Sequence, residues 1–181
     1  DIRYLDRNNE LQYVATASWG LSTRAIGAIL MPHGDDKGLL MPPRIAPIQI
    51  VIVPIFGKNA DPAPVLDAAK QLARELSDYR VEIDARDDKT PGFKFNDWEM
   101  RGVPVRVEIG PKDVEKGTVA LARRDKPGKE GKTFVSQEGI VETVKNLLTD
   151  EQAALLNRAT DVKKQFKKKR ARPFAVSPLT K

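Results

Sequence analysis

The run Ile48-Gln49-Ile50-Val51-Ile52-Val53 constrains this chain more than any other stretch. Nearly unbroken β-branched sequence is the mark of a strand covered on both faces, which needs helices above and below it. The residues that follow supply them. Asp61 is a candidate N-cap with Pro62 in the first turn, and Val65, Leu66, Ala69, Leu72 and Leu76 recur at helical spacing. Residues 80–84 read as a strand, 93–101 as a short helix ended by Gly102, and 103–109 and 118–123 as strands. A basic, glycine-containing loop at 126–131 leads to a last strand at 132–136, then a helix at 138–148. Strands alternating with helices predict an α/β fold with a mixed, mostly parallel sheet flanked by helices. Thr149, with Gln152 three residues on, predicts a capping box opening a second long helix. Leu155, Leu156, Ala159, Val162 and Phe166 continue its apolar stripe, and Pro173 ends it.

The first 43 residues are of another kind. Residues 3–5 and 11–19 read as strands of a hairpin around Asp6-Arg7-Asn8-Asn9. Residues 21–31 read as a helix with Leu21, Ala25, Ala28 and Ile29 on one face, and Gly27 where something packs closely. Residues 32–43 hold three prolines and two glycines and read as a linker. A hairpin and one helix bury too little to fold alone, so this part is expected to be the edge of a larger domain.

Composition excludes several chemistries. The 181 residues contain no cysteine, so there is no disulfide, thiolate zinc site or cysteine nucleophile. One histidine, His33, cannot build a multi-histidine metal cage. No run approaches the roughly 18 apolar residues of a membrane span, and no signal peptide opens the chain, so the expectation is a soluble, cytoplasmic chain. The net charge of +6 is local: residues 161–181 carry eight Lys or Arg against Asp161 alone. A second cluster, nine basic and five acidic residues, lies at 101–132.

Three constellations could carry chemistry. Ser18-Trp19-Gly20-Leu21-Ser22-Thr23-Arg24 runs through glycine into a helix start, where free N–H groups, hydroxyls and an arginine suit a phosphate. The same junction is also common as plain architecture. His33-Gly34-Asp35-Asp36 invites a metal, but one imidazole without a second cluster gives a solvated acidic turn, and no metal site is assigned. The third is Glu99 closing a helix, Arg106 on a strand, and Lys112-Asp113 in the next turn. Gathered at one sheet edge, they could read guanine: Arg and Lys donate to O6/N7 while carboxylates accept from N1–H and N2–H₂. An Arg–Glu surface pair is the structural alternative. Trp98 and Phe93 are read as core rather than stacking platforms. The Lys163–Arg172 run either sits solvated at a helix end or grips RNA backbone.

Taken in order, these stretches resemble a known family. Ser18–Arg24, Ile26-Gly27-Ala28, His33–Leu39 and Pro42–Gln49 are joined by Thr90–Phe95, Trp98-Glu99, Gly102-Val103-Pro104 and Gly110–Asp113. Together they resemble the C-terminal half of prolyl-tRNA synthetases of the archaeal and eukaryotic-like type, from about Tyr4 to at least Leu148. The resemblance implies that residues 1–43 are the end of a class II catalytic domain, with its third signature motif, that 44–148 are an anticodon-binding domain, and that 149–181 are a basic C-terminal helix and tail. It implies that Arg24 contacts ATP phosphates as the catalytic arginine, and that Ser18, Trp19, Gly20 and Ser22 line the prolyl-adenylate site. Glu99, Arg106, Lys112 and Asp113 match positions that read the anticodon guanines of tRNA(Pro), and Lys126 and Lys129 lie in the matching basic loop.

The implied chemistry is ATP-dependent activation of L-proline, assisted by Mg²⁺, then transfer to the tRNA 3′ end, in a protein that is a homodimer when complete. The first two signature motifs of the family would precede residue 1, so this segment alone is expected to be inactive. Ala17 departs from the small polar residue usual beside Ser18, and the family's further C-terminal domain is not seen. The alternative is a standalone, non-catalytic RNA-binding or regulatory protein built on the same domain. An unrelated nucleotide-binding enzyme is discounted, because Phe56-Gly57-Lys58 is too short for a phosphate loop.

Overall fold

In the computed structural model, residues 2–57, 61–126 and 128–170 are described, and the side chains of Lys129 and residues 166–170 lie outside that description. A two-stranded hairpin, β1 (Arg3–Leu5) and β2 (Leu11–Tyr13), precedes helix α1 (Arg24–His33). The main body is a five-stranded sheet: β3 (Ile50–Pro54), β4 (Val81–Ile83), β5 (Val105–Ile109), β6 (Thr118–Arg123) and β7 (Lys132–Ser136). Between and after the strands run α2 (Ala63–Glu75), α3 (Pro91–Arg101), α4 (Pro111–Lys116) and α5 (Ile140–Arg170). The strand order is β4-β3-β5-β6-β7. The mixed sheet expected from sequence is present, parallel where helices α2 and α3 cross over and antiparallel where short connections join β5 to β6 to β7.

β3 is buried at all five residues, which is what its β-branched run demands. Alternation then divides its neighbours between two faces. Ile50, Ile52, Val105, Val107, Ile109, Val119 and Leu121 pack under α2 and α5 in the larger core, with Val114 of α4 at its margin. Val51 and Val53 point the other way, to Trp98 and Phe95 of α3. Thr90 caps α3 by accepting the Phe93 N–H at 3.3 Å, and Gly102 closes it at φ 74°. Asp84 clamps α3 to the end of β4. Its carboxylate accepts from Trp98 Nε1 at 2.7 Å and from Arg86, while buried Lys94 donates to its carbonyl at 3.1 Å. Burial by itself pushes the Asp84 carboxyl up, but the hydrogen bonds from Arg86 and Trp98 outweigh it and hold the group down at about 2.

Several boundaries differ from the sequence reading. β2 stops at Tyr13, not residue 19, because β1 offers only three partners. α1 begins at Arg24, so Leu21 is outside it and exposed, and Gly27 has open space around it instead of a close neighbour. The helix runs through Pro32 and closes with the Gly34 N–H on the Leu30 carbonyl at 2.8 Å. α4, read as a turn, is a short helix between glycines 110 and 117. The largest correction concerns the two helices read at 138–148 and from Thr149 onward, which are one continuous helix, Ile140–Arg170. Thr149 does not cap. Its hydroxyl donates back to the Lys145 carbonyl at 2.8 Å, and Gln152 instead accepts the Arg44 N–H at 3.1 Å. Pro173 lies outside the described residues.

The stretch read as a linker is fastened to the body. Leu39 N–H donates to Met100 O and Met41 N–H to Gly102 O. The approach is close enough that a Cβ on Gly38 would sit 2.6 Å from the Met100 backbone, and one on Gly102 2.6 Å from Leu39. Arg80 donates to the carbonyls of Pro43, Arg44 and Ala46, holding the next turn. Among the described residues no helix is long and apolar enough to cross a membrane.

Candidate nucleic-acid interface

The α3 face of the sheet has two cross-strand rows fixed by register. Val51, Arg106, Ala122 and Lys132 form one, and Val53, Glu108, Ala120 and Phe134 the other. α3 covers only the β3 end of these rows. Beyond it the face is polar and shallow, with alanines on β6.

Charges join across that open half. Arg106 donates to Glu99 Oε1 at 3.1 Å and to Glu108 Oε1 at 3.1 Å, while its guanidinium lies 4.2 Å from the Phe95 ring centroid. Lys132 Nζ reaches the other Glu108 oxygen at 2.6 Å. The result is a ladder Glu99–Arg106–Glu108–Lys132, in which Glu108 is nearly buried and Glu99 and Lys132 keep about a third of their side chains in solvent. Alternating donors and acceptors held in fixed positions can read a base edge, which carries both kinds of group, better than a phosphate, which only accepts.

The ladder is anchored from behind. Arg124, with 3% of its side chain exposed, donates Nε to the Glu99 carbonyl at 2.8 Å and its two other nitrogens to the Asp35 carboxylate at 2.9 and 2.6 Å. These hydrogen bonds hold the Asp35 carboxyl down at about 2. Asp35, read as part of a solvated turn, is therefore a latch between residues 34–41 and the Glu99 end of α3.

The sequence-predicted residues do not all meet. Glu99 and Arg106 are joined, and exposed Lys126 follows in the loop after β6, at the same end of β5 as Arg106. Lys112 and Asp113 lie past the other end of β5, at least about 10 Å further along the strand direction. Asp113 is occupied as a cap, accepting the Gly110 N–H at 2.9 Å, and Lys112 is exposed. The Lys129 side chain lies outside the described residues, as does the end of the Lys163–Arg172 run; Lys163 and Lys164 are exposed. Trp98 is core as expected, but Phe93 is half exposed, because it stands in the first turn of α3 beside Lys89 and not over the sheet.

Glu108 and Lys132 were missed, although the alternation of Val105-Arg106-Val107-Glu108 already placed Arg106 and Glu108 on one face. Lys132 needed the β6–β7 register, which no local signal carries.

The N-terminal constellation stands apart. Residues 14–22 have no regular structure, Trp19 is 96% exposed, and Ser18, Gly20 and Ser22 are also exposed. Arg24 is the first residue of α1, exposed, beside a helix start whose Thr23 makes no side-chain cap. That is a donor set suited to phosphate, without walls around it.

Comparison with known proteins gives the family context. Residues 49–147 match the anticodon binding domain family. The chain is 54% identical over 160 residues to a "Proline--tRNA ligase" of Roseiflexus sp. (strain RS-1), covering 88% of this chain and 33% of that protein. A "Proline--tRNA ligase" of Chloroflexus aurantiacus is also 54% identical over 160 residues, with the same coverage. The "Proline--tRNA ligase, chloroplastic/mitochondrial" of Arabidopsis thaliana is 49% identical over 162 residues, 87% of this chain and 30% of that protein. The chain thus spans about a third of the length of the curated relatives it matches. These relatives are bacterial or organellar, so they carry the prolyl-tRNA synthetase resemblance without tying it to the archaeal and eukaryotic-like type.

Proposed function

Because the chain belongs to the anticodon-binding domain family, we propose that it forms the C-terminal part of a proline–tRNA ligase and that the half-open sheet face reads the anticodon of tRNA(Pro). The observation that carries this reading is the Glu99–Arg106–Glu108–Lys132 ladder, which runs from the margin of α3 onto the open half of the sheet face. Glu99 accepts from guanine N1–H and N2–H₂, while Arg106 and Lys132 donate to O6 and N7. Binding exchanges the Arg106–Glu99 pair for base contacts, so little unpaired charge is created. Lys112 and Asp113 form a second contact region for the neighbouring guanine, and Lys126 and Lys129 hold backbone phosphate.

The complete enzyme activates L-proline with ATP and transfers it to the tRNA 3′ end, as a homodimer working in the cytoplasm. Arg24, at the start of α1, binds the ATP phosphates, beside Ser18, Trp19, Gly20 and Ser22. Walls for that site come from the part of the protein that the relatives have beyond this third. For Mg²⁺ the fit is poor: among the described residues no group of three or more Asp, Glu or His could hold a metal ion.

The test is binding of this chain to a stem-loop RNA with a proline anticodon and to one with both guanines replaced, at several salt concentrations. Direct reading predicts a loss of about 1–3 kcal/mol per replaced base, with Glu99→Ala removing most of that discrimination. Equal affinity for both RNAs, falling steeply with salt, would reduce the face to a backbone-binding surface.

A further inference from the structure

Phe134 is the one aromatic side chain on the open half of the α3 face, among the described residues, and it is 68% exposed. It stands on β7 directly across from Ala120, which in turn faces Glu108 on β5. No helix covers it, and the alanine beside it leaves one side of the ring accessible along the sheet. Lys132, two residues earlier on the same face, holds its Nζ 5.6 Å from the ring centroid while donating to Glu108. An exposed ring beside a ladder of fixed hydrogen-bonding groups offers a flat apolar surface next to polar ones, which matches the face and edge of a nucleobase.

We propose that Phe134 is a stacking platform for an unpaired nucleobase next to the base read by the ladder. This deepens the anticodon reading above and rests on it for the identity of the RNA. Two strand spacings, roughly 10 Å, separate Phe134 from Glu108, and Arg106 lies two residues along β5 from there, about 12 Å from Phe134, a distance that neighbouring splayed nucleotides span. The division of work follows from the chemistry. The ladder supplies sequence discrimination through hydrogen bonds, whereas a phenyl ring accepts any base through its π-face. Lys132 serves both, as a donor to a base edge and as a cation near the stacked pair. A protein partner pairing with the β7 edge is the competing occupant. The mixed charges beside Phe134 disfavour it, because an apolar protein partner laid over the ring would strip water from Glu99 and Lys132, which keep about a third of their side chains in solvent.

The experiment uses this chain with the proline-anticodon stem-loop RNA and with versions made abasic at each loop position in turn. Phe134→Ala should weaken binding about 5- to 100-fold, Phe134→Leu nearly as much, and Phe134→Trp little. The salt dependence should stay unchanged, since no phosphate contact is lost. At one loop position the abasic RNA should bind wild type and Phe134→Ala equally. Thermal melts of the variants check that the exposed substitutions leave the fold intact. If guanine discrimination is present but Phe134→Ala binds every RNA like wild type, the platform is overturned and the anticodon reading stands. If guanine discrimination is absent yet Phe134→Ala and one abasic position fail to add, the platform stands as a stacking site for an unpaired loop base and the anticodon reading falls. A concentration-dependent dimer abolished by Phe134→Ala, with RNA affinity unchanged, would replace the platform with a protein interface.

Discussion

Under α2 and α5, the sheet presents Ile50, Ile52, Val105, Val107, Ile109, Val119 and Leu121, essentially sealed from water. Its other face presents Val51 and Val53 beneath α3, then Arg106 against Phe95 and Glu99 at the margin of that helix, and then Lys132 and Phe134 on β7 beyond it. The strands are the same, so the difference lies wholly in which alternate residues are apolar. The sealed face uses two long helices to bury continuous aliphatic surface. The half-open face uses one helix as a wall and leaves polar groups held by each other. Stability is therefore expected to depend on the first face and recognition on the second.

The sharpest test of that division is Ile52→Ala on the sealed face. Deleting this fully buried side chain should cost about 2–5 kcal/mol in urea unfolding, while Phe134→Ala should change stability by no more than about 0.5 kcal/mol. Comparable losses from the two would show that the half-open face carries as much of the stability as the sealed one.

One residue violates the rule on the sealed side. Glu151 occupies the α5 stripe formed by Ile140, Val144, Leu148 and Leu155, and its Oε2 has no hydrogen-bond partner among the described residues. Burial pushes its carboxyl up from 4.5 to about 9, with the nearby Asp125 charge adding to the shift and Arg123 and Arg124 opposing it. Between about pH 4.5 and 9 the unfolded chain has released a proton that the folded chain keeps, so this group makes stability fall as pH rises. Glu151→Gln should remove that slope. The variant's advantage should be near zero at pH 4.5 and grow by up to about 1.4 kcal/mol per pH unit, with the gain measured by melts across the window. A variant whose stability tracks wild type at every pH would show that the carboxyl is solvated.

How much of this was legible in the sequence depends on the range of the interaction. The β-branched run of β3, the stripes of α2 and the glycine stop of α3 are local signals, and the structure has them within a few residues. The continuity of α5 was hidden because Thr149 carries the chemistry of a cap. In the continuous helix its hydroxyl bonds back to Lys145, and Gln152, the other half of the expected box, engages Arg44, 108 residues away in sequence. The site divides the same way. Glu99 and Arg106 could be singled out by type and spacing, but Lys132 joins them only through strand register. Asp35 looked like a turn residue because nothing near it in sequence reveals Arg124.

That Asp35–Arg124 contact is where the half-open face carries stability as well as recognition. Arg124→Ala removes both hydrogen bonds to Asp35 and the one to the Glu99 carbonyl. Asp35 keeps about a third of its side chain in solvent and can rehydrate, so the cost should be about 2 kcal/mol, less than for a fully buried pair. The pH dependence identifies the cause. The Asp35 carboxyl is held down at about 2, so the pair contributes in full above its ordinary 3.8 and its contribution is lost as pH falls toward 2. Acid melts should show a steeper loss for wild type than for Arg124→Ala, while Asp84, titrating over the same range in both, cancels from the difference. Guanine discrimination should also fall in Arg124→Lys, which keeps the charge but not the three-way fork that fixes Glu99. Unchanged discrimination in a folded Arg124→Lys chain would confine Arg124 to holding residues 34–41, a stabilising role on the half-open side with no share in recognition.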